Sequence, residues 1–584
     1  MIVPMKRLLL LCVADEADST LESLRDLGAV HLDLSSAGGE GVSAANGDLE
    51  DALKAVRLVV KAAKETDAKG FATECMPVER ILALDARRED LKNMADAFRG
   101  TVRRYEPFGD FDPVLAEKLE AAGVRLLLRD DGSFAFAYGG EMPDGKIGAR
   151  EMPLPAERLS ATKRKLSETE RAIADATAEI ARADISGIVR SFPELRDAVQ
   201  FAAAKDEMSA NLMCAEGGEQ SAAKVSLIRG WIAQDSVESL RDAARKNGWG
   251  VALRDPDAGE TPPTLIRPPK MFRPVKSLFE GLGISPAYNE SDVSVPFMCY
   301  FSLFFAMLVG DGAYGAIFLA ATLFGWKKTA GKRSPLAKSW LVLMSVFSTA
   351  TVVWGALSNT WFGAQIPWCA DWPTVRWLAD PSYANMMLLC FTIGASHLIL
   401  ARLWNGVCRI NDSTCVAEFG WAGILLFMYF VTNSIVGIFS GIPSVLYWVF
   451  GLSLAMVFGF SVKFSELKTR GAELGMLPLN IMGALGDIIS YVRLFAVGLA
   501  SVKVAENFNS MAVGLLDGAE SVWAKVLMVL AMVLILVLGH ALNLVMAGLS
   551  ILVHAVRLNT LEFSNHKGVS WAGYTFNPFR KSGK

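Results

Sequence analysis

The sequence predicts an α+β soluble arm, two small α/β lobes joined by an antiparallel coiled coil, followed by an all-α polytopic membrane domain. About eight helices are expected in that domain, the last two long and tilted. Three observations lead there. The 584 residues exceed a single soluble core. The mean hydropathy of +0.31 is high for a soluble protein. The apolar residues are also concentrated: the chain is charged and mixed from Met1 to about Asp292. From Ser294 onward it is dominated by apolar runs, several of the roughly 20 residues that cross a bilayer.

Net charge is −3, which gives no electrostatic argument for nucleic acid. The eight cysteines are scattered, with no CxxC pair and no His/Cys cluster at metal spacing. They read as thiols in a reducing compartment, and no metal or cofactor is implied. Met1–Ala14 imitates a signal peptide, with Lys6 and Arg7 before Leu8–Val13, but the apolar stretch is short and runs into Asp15, Glu16 and Asp18. A buried strand is the better reading.

In the expected arm, residues 1–275, Lys6–Ala14 reads as strand, Ser19–Leu27 as helix, Gly28 as its stop and Ala29–Leu34 as strand. A second lobe is expected near 75–140. It holds a charged helix near Arg88–Phe98, another at Pro113–Ala122, and strands at Val124–Leu128 and Phe134–Tyr138. A third piece, Val225–Leu253, completes the first lobe, which then comprises 1–40 plus 220–255. Two heptad segments, near 48–65 and 155–184, join the lobes. Leu49, Leu53, Val56, Val60 and Ala63 alternate in steps of four and three. Leu159, Leu166, Ile173 and Ile180 repeat every seven, with Thr162, Thr169, Ala176 and Ala183 as companions. Such narrow seams suit a two-helix coiled coil; the alternative is two amphipathic helices lying on the lobes. A Pro-rich linker, Thr261 to Pro274, leads to the membrane domain, 276–584.

The first apolar run, Val295–Trp326, is too long for one span and is interrupted by Gly310-Asp311-Gly312-Ala313-Tyr314-Gly315. Basic residues flank both ends, so the positive-inside bias makes it a hairpin with Asp311 on the far side. Ser339–Phe362, Tyr383–Leu403, Val416–Ile438, Val445–Val462, Leu477–Ala505 and Val522–Leu558 then alternate, which leaves both termini cytoplasmic.

Arg493 lies mid-span in the next-to-last helix, where a guanidinium costs several kcal/mol and is functional by default. The alternative, a structural ion pair, has an imperfect partner in Asp487, since six residues turn a helix by about 240°. On the last helix His540, Asn543, Ser550, His554 and Arg557 follow steps of three and four, with Ala547 filling the remaining place. That stripe either lines an aqueous path or hydrogen-bonds the arginine helix. Arg557 alone is also explained by snorkelling to the surface.

Ser490-Tyr491-x-Arg493-Leu494-x-Ala496-x-x-Leu499-Ala500 and His554-x-x-Arg557-Leu558-x-x-x-Glu562-Phe563 resemble the last two helices of the V/A-type rotary ATPase a subunit, called subunit I in bacteria. Gly310-Asp311-x-x-Tyr314-Gly315 resembles its first hairpin, and Pro262-Pro263-Thr264 and Phe576-x-Pro578-Phe579 fit as well. The resemblance implies a non-catalytic subunit of an ion-translocating complex. Its two half-channels pass H⁺ or Na⁺ to carboxylates on a ring of proteolipid (c/K) subunits. Arg493 would face the ring carboxylate between the half-channels, favour its charged form and so eject the ion. Arg557 would be a second such cation, with His554, Asn543, His540, Ser550, Asp487, Ser490 and Ser501 as further candidates for the translocation path. Peripheral stalk subunits, held by the arm, and a central-stalk connector subunit are the other implied partners, in the cytoplasmic membrane of a prokaryote. Ser501 stands where some members carry a histidine, and Ala547 where some carry an acid; Asp487, Glu418 or Glu506 could substitute.

Gly325 to Arg333 imitates a phosphate loop, but the spacing is one residue too long and Arg333 replaces the Ser or Thr that binds Mg²⁺. No nucleotide site or other catalytic motif is expected. A secondary transporter would show paired halves with broken helices, and none is seen. A membrane-tethered scaffold would leave Arg493 unexplained.

Overall fold

The computed structural model describes residues 2–34, 38–66, 75–129, 134–138, 149–214, 224–257, 259–329, 335–367, 372–378, 383–462, 472–515 and 522–581. The basic loops at 330–334 and 463–471, and with them residues 330–333 of the phosphate-loop imitation, lie outside the described residues. The chain forms two compact units, Arg7–Leu253 with Pro578–Lys584 and Met1–Lys6 with Arg254–Asn577.

In the first unit, β1 (Met5–Val13) buries Leu8, Leu10 and Cys12 on one face by strand alternation. Helix α1 (Ala17–Leu27) covers that face with Leu21 and Leu24. It ends at Gly28, whose φ of +61° is the left-handed cap that a Cβ disfavours. β2 (Val30–Leu32) follows.

Four long helices come next: α2 (Glu40–Glu65), α3 (Val78–Tyr105) and, beyond a small sheet, α5 (Leu159–Ala181) and α6 (Ile185–Ala210). They pack together as α2 on α5 and α6 and α3 on α5, rather than as one isolated pair. The buried face of α2 is Ala52, Ala55, Val59 and Ala62, while Leu53 and Val60 are exposed. The seam is therefore rotated by one residue from the heptad expected, because small residues let several helices approach α2 at once. Between α3 and α5 lie α4 (Pro113–Ala121) and an antiparallel sheet of β3 (Val124–Arg129), β4 (Phe134–Tyr138) and β5 (Ala149–Met152), with β3 central. α3 is thus longer than the charged helix expected within this lobe. β6 (Leu212–Cys214), β7 (Lys224–Ala233), α7 (Val237–Asn247) and β8 (Gly250–Arg254) complete the first sheet, in the order β2-β7-β1-β8 with β6 beside β7.

The second unit is helical. After α8 (Val275–Leu282), α9 (Ser294–Val309) and α10 (Gly312–Thr329) are separated by Gly310, φ +70°, and Asp311. The two pack little on each other: α11 (Pro335–Ser358) lies against both. Gly355 of α11 sits so close to Gly312 that a Cβ there would come within 2.2 Å of its Cα. Short α12 (Pro373–Leu378) precedes α13 (Ala384–Cys408), α14 (Cys415–Ile435) and α15 (Ser444–Phe460), which pack in sequence order. The arginine-bearing segment is two helices, α16 (Leu477–Ile489) and α17 (Val492–Gly514), joined by a turn at Ser490–Tyr491. α18 (Val522–Ser550) continues through π-wound Ile551–Ala555 and Leu558–Phe563 to Lys567. By length and composition, five helices among the described residues can cross a membrane, and two shorter apolar helices accompany them.

Candidate functional site

The turn between α16 and α17 is fixed from the side. Tyr491 is fully buried, and its hydroxyl meets His397 Nδ1 of α13 at 2.9 Å. Gly394 of α13 makes room for the ring; a Cβ there would lie 2.5 Å from Tyr491 Cγ. The turn frees the Ser490 carbonyl, which accepts from Arg493 Nε at 2.8 Å. With its Nε held, the guanidinium reaches across to α18, where Nη2 donates to Glu562 Oε1 at 2.5 Å.

Glu562 is the residue that sequence reasoning missed. Its side chain is 6% exposed, and Oε1 also receives Ser490 Oγ at 3.3 Å and lies 3.5 Å from Arg557 Nε. In an α-helix, residues five apart are about 140° out of line. The i→i+5 bonding of a π segment brings them nearly into register, and Leu558–Phe563 is wound in that way. The signal is the Arg557–Glu562 pair in the motif itself, which regular α-helical periodicity would place on different faces.

Asp487 does turn away from Arg493, as its spacing requires. Its Oδ2 accepts from His566 Nε2 at 3.0 Å, and His566 Nδ1 accepts from Arg402 Nε at 3.1 Å. Arg402 in turn donates to Glu418 at 3.1 Å. This buried chain joins α16, the end of α18, α13 and α14.

A second polar cluster lies beyond Arg493. Ser501 Oγ donates to Asn543 Oδ1 at 3.0 Å, and Asn543 Nδ2 returns a bond to the Ser501 carbonyl at 2.9 Å. Asn543 also donates to the Tyr314 hydroxyl at 3.1 Å, which meets His540 Nδ1 at 2.7 Å. His540 Nε2 lies 3.2 Å from Asn509 Oδ1. Asp311 caps α10, accepting from the Ala313 N–H at 2.8 Å and, with its other oxygen, from Gly363 N–H at 2.8 Å. A cavity of about 540 Å³ opens beside this end of α17, lined by Leu494, Gly498, Val502, Lys503 and Glu506 among others.

The stripe on α18 is therefore not uniform. Asn543 and Ala547 are buried, and the inward face continues through Ile551, Ala555 and Leu558. Ser550, bonded only to the Met546 carbonyl among the described residues, and half-buried His554 flank that face, while Arg557 is 56% exposed. The π winding rotates the lower half of the stripe away from the upper half.

Taken together, these features are those of a membrane protein in which two arginines approach one buried carboxylate. Residues 480–581 match the V-type ATPase 116kDa subunit family. The chain is 32% identical to V-type ATP synthase subunit I of Borreliella burgdorferi over 62% of this chain and 60% of that one. It is 28% identical to V-type ATP synthase subunit I 1 of Treponema pallidum over the full length of both. It is 26% identical to A-type ATP synthase subunit I of Methanocaldococcus jannaschii over 60% of this chain and 54% of that one. The matches to the Borreliella and Methanocaldococcus proteins thus span less than two thirds of those relatives. The family match thus covers the C-terminal part of the chain, and the similar proteins are, by name, subunit I of V-type and A-type ATP synthases.

Proposed function

We propose that this chain is the membrane stator subunit of a V/A-type rotary ATPase, passing H⁺ or Na⁺ to and from ring carboxylates. The observation that carries the reading is the place of Arg493 between two separate polar clusters. One contains Asp487 and His566; the other contains Ser501, Asn543, Tyr314 and His540. Each cluster is a candidate half-channel, and the arginine between them is the barrier to direct leakage. A nearby guanidinium favours an ionised carboxylate, so a ring carboxylate reaching Arg493 releases its ion. Arg557, His554 and Ser550 would belong to the face that meets the ring.

In the same reading, residues 1–275 form a cytoplasmic arm that holds peripheral stalks against rotation, and residues 276–584 translocate the ion. ATP is bound and hydrolysed by other subunits. The complex sits in a prokaryotic cytoplasmic membrane with both termini of this chain inside. The test is to tag the chain, solubilise membranes gently and identify what co-purifies. A proteolipid with stalk and nucleotide-binding subunits is expected; isolation of the chain alone, or with a solute-binding protein, would contradict the reading.

A further inference from the structure

Two guanidiniums and one carboxylate meet at Glu562, leaving one positive charge uncompensated. Oε1 takes both arginines, Arg493 at 2.5 Å and Arg557 at 3.5 Å, while Oε2 is buried without a partner among the described residues. The neighbouring titratable groups are engaged elsewhere: Asp487 with His566, and Tyr491 with His397. His554 lies one helical turn before Arg557. The two arginines differ in access. Arg493 is 22% exposed and held at two points, whereas Arg557 is 56% exposed and loosely held.

We propose that Glu562 is a hand-over carboxylate, holding Arg493 in place between ring passages and shifting onto Arg557 when a ring carboxylate takes Arg493. This rests on the ring reading above. The physical requirement is that a buried carboxylate never be left without a cation, since an unpaired buried charge is strongly unfavourable. Arg557 meets it: the incoming ring carboxylate supplies the missing negative charge, and Glu562 stays paired throughout. No bond is made or broken, and the π-wound segment is what places Arg557 within reach of Glu562.

The proposal predicts opposite effects of single charge changes on the half-saturating concentration of the transported ion. The assay is ATP-driven uptake into membrane vesicles carrying the whole complex. Glu562→Gln leaves two uncompensated arginines, holds the ring carboxylate ionised and raises that concentration about tenfold. Arg557→Gln leaves none, lowers it, and slows maximal transport because Glu562 has no second cation. The double variant returns the concentration toward the original value. A purely structural Glu562 would reduce assembly or maximal rate without these opposed shifts. Unchanged half-saturation in both single variants, or shifts of one sign, overturns the proposal. If Glu562→Gln does not assemble, Arg557→Gln alone decides: an unchanged or raised value overturns it. Arg493→Lys in the same vesicles separates the two levels. Normal pumping there sinks the ring reading, whereas inactivity beside an unshifted Glu562→Gln sinks only the hand-over.

Discussion

Arg493 Nη2 and Glu562 Oε1 lie 2.5 Å apart although 69 residues separate them in the chain. One is 22% and the other 6% exposed, so the pair is largely withdrawn from solvent. Removing Arg493 leaves Glu562 only the more loosely held Arg557 at 3.5 Å, a loss smaller than the roughly 3–5 kcal/mol of orphaning a buried charge outright. Arg493→Ala should therefore lower the amount of folded chain in membranes, and adding Glu562→Gln should partly restore it. Immunoblots of extracted complex measure this; no recovery in the double variant would mean that the pair is not the cause.

Glycines set the close approach of α10 and α11. Gly355→Leu should prevent accumulation of the chain, since even a Cβ at this position meets the Gly312 backbone and overpacking costs about 1–3 kcal/mol or more. Gly451→Ala is the matched control: a Cβ there meets nothing within 4 Å. In a helix the exchange gains up to about 1 kcal/mol. Equal expression of both variants would contradict the packing described.

In the first unit, Leu8→Ala removes a fully buried side chain from the β1 face and should cost about 2–5 kcal/mol. Leu11 on the opposite face is 41% exposed, and Leu11→Ala should fall within about 0.5 kcal/mol of the unchanged protein. Limited proteolysis across a temperature series compares the two.

Much of this was legible in the residues, and what was not has identifiable causes. The strand at Leu8–Cys12 and the stop at Gly28 follow from apolar length and glycine's access to positive φ. The alternation of Thr162, Thr169, Ala176 and Ile180 on α5 also marks residues that are buried. On α2 the heptad chose Leu53, Val56 and Val60, yet Ala52, Ala55, Val59 and Ala62 are the ones buried, because burial there is decided by how many helices crowd one face. The Arg493 partner was hidden for a different reason. Periodicity arguments assume 3.6 residues per turn, and Glu562 comes into line with Arg557 only through π winding. Likewise the break at Ser490–Tyr491 depends on His397 and Gly394, about a hundred residues earlier, and no local propensity announces it.

The proposed orientation can be checked in a background lacking the eight native cysteines. Ser440 and Asn411 are both exposed, on the connections after α14 and α13 respectively. A cysteine at Ser440 should react with a membrane-impermeant maleimide from outside intact cells, and one at Asn411 only after the cytoplasmic face is opened. The reverse pattern would invert the domain.

Loss of the Ser501–Asn543 exchange should loosen α17 from α18. Asn543 is 1% exposed and takes part in both bonds with Ser501. Asn543→Ala leaves the buried Ser501 hydroxyl without its acceptor and removes the added bond to the Ser501 carbonyl, at about 1–3 kcal/mol. The expected result is a lower thermal transition of the purified complex, with Ser501→Ala milder because only one of the two bonds is lost. Equal transitions in Asn543→Ala and the parent would refute this clamp.

The central claim is that Arg493 opposes a moving carboxylate without losing its proton, and Arg493→Lys tests it most directly. Lysine keeps the charge and approximate length, so the buried Glu562 retains a cation and the complex should assemble. It lacks the planar fork that binds the Ser490 carbonyl and Glu562 together, and its ammonium loses its proton more readily when desolvated. The measurement is ATP-driven ion uptake into membrane vesicles, with subunit content verified on gels. The account predicts normal subunit content and no uptake above background. Uptake at the parent rate would show that Arg493 is structural and that the site has been wrongly assigned.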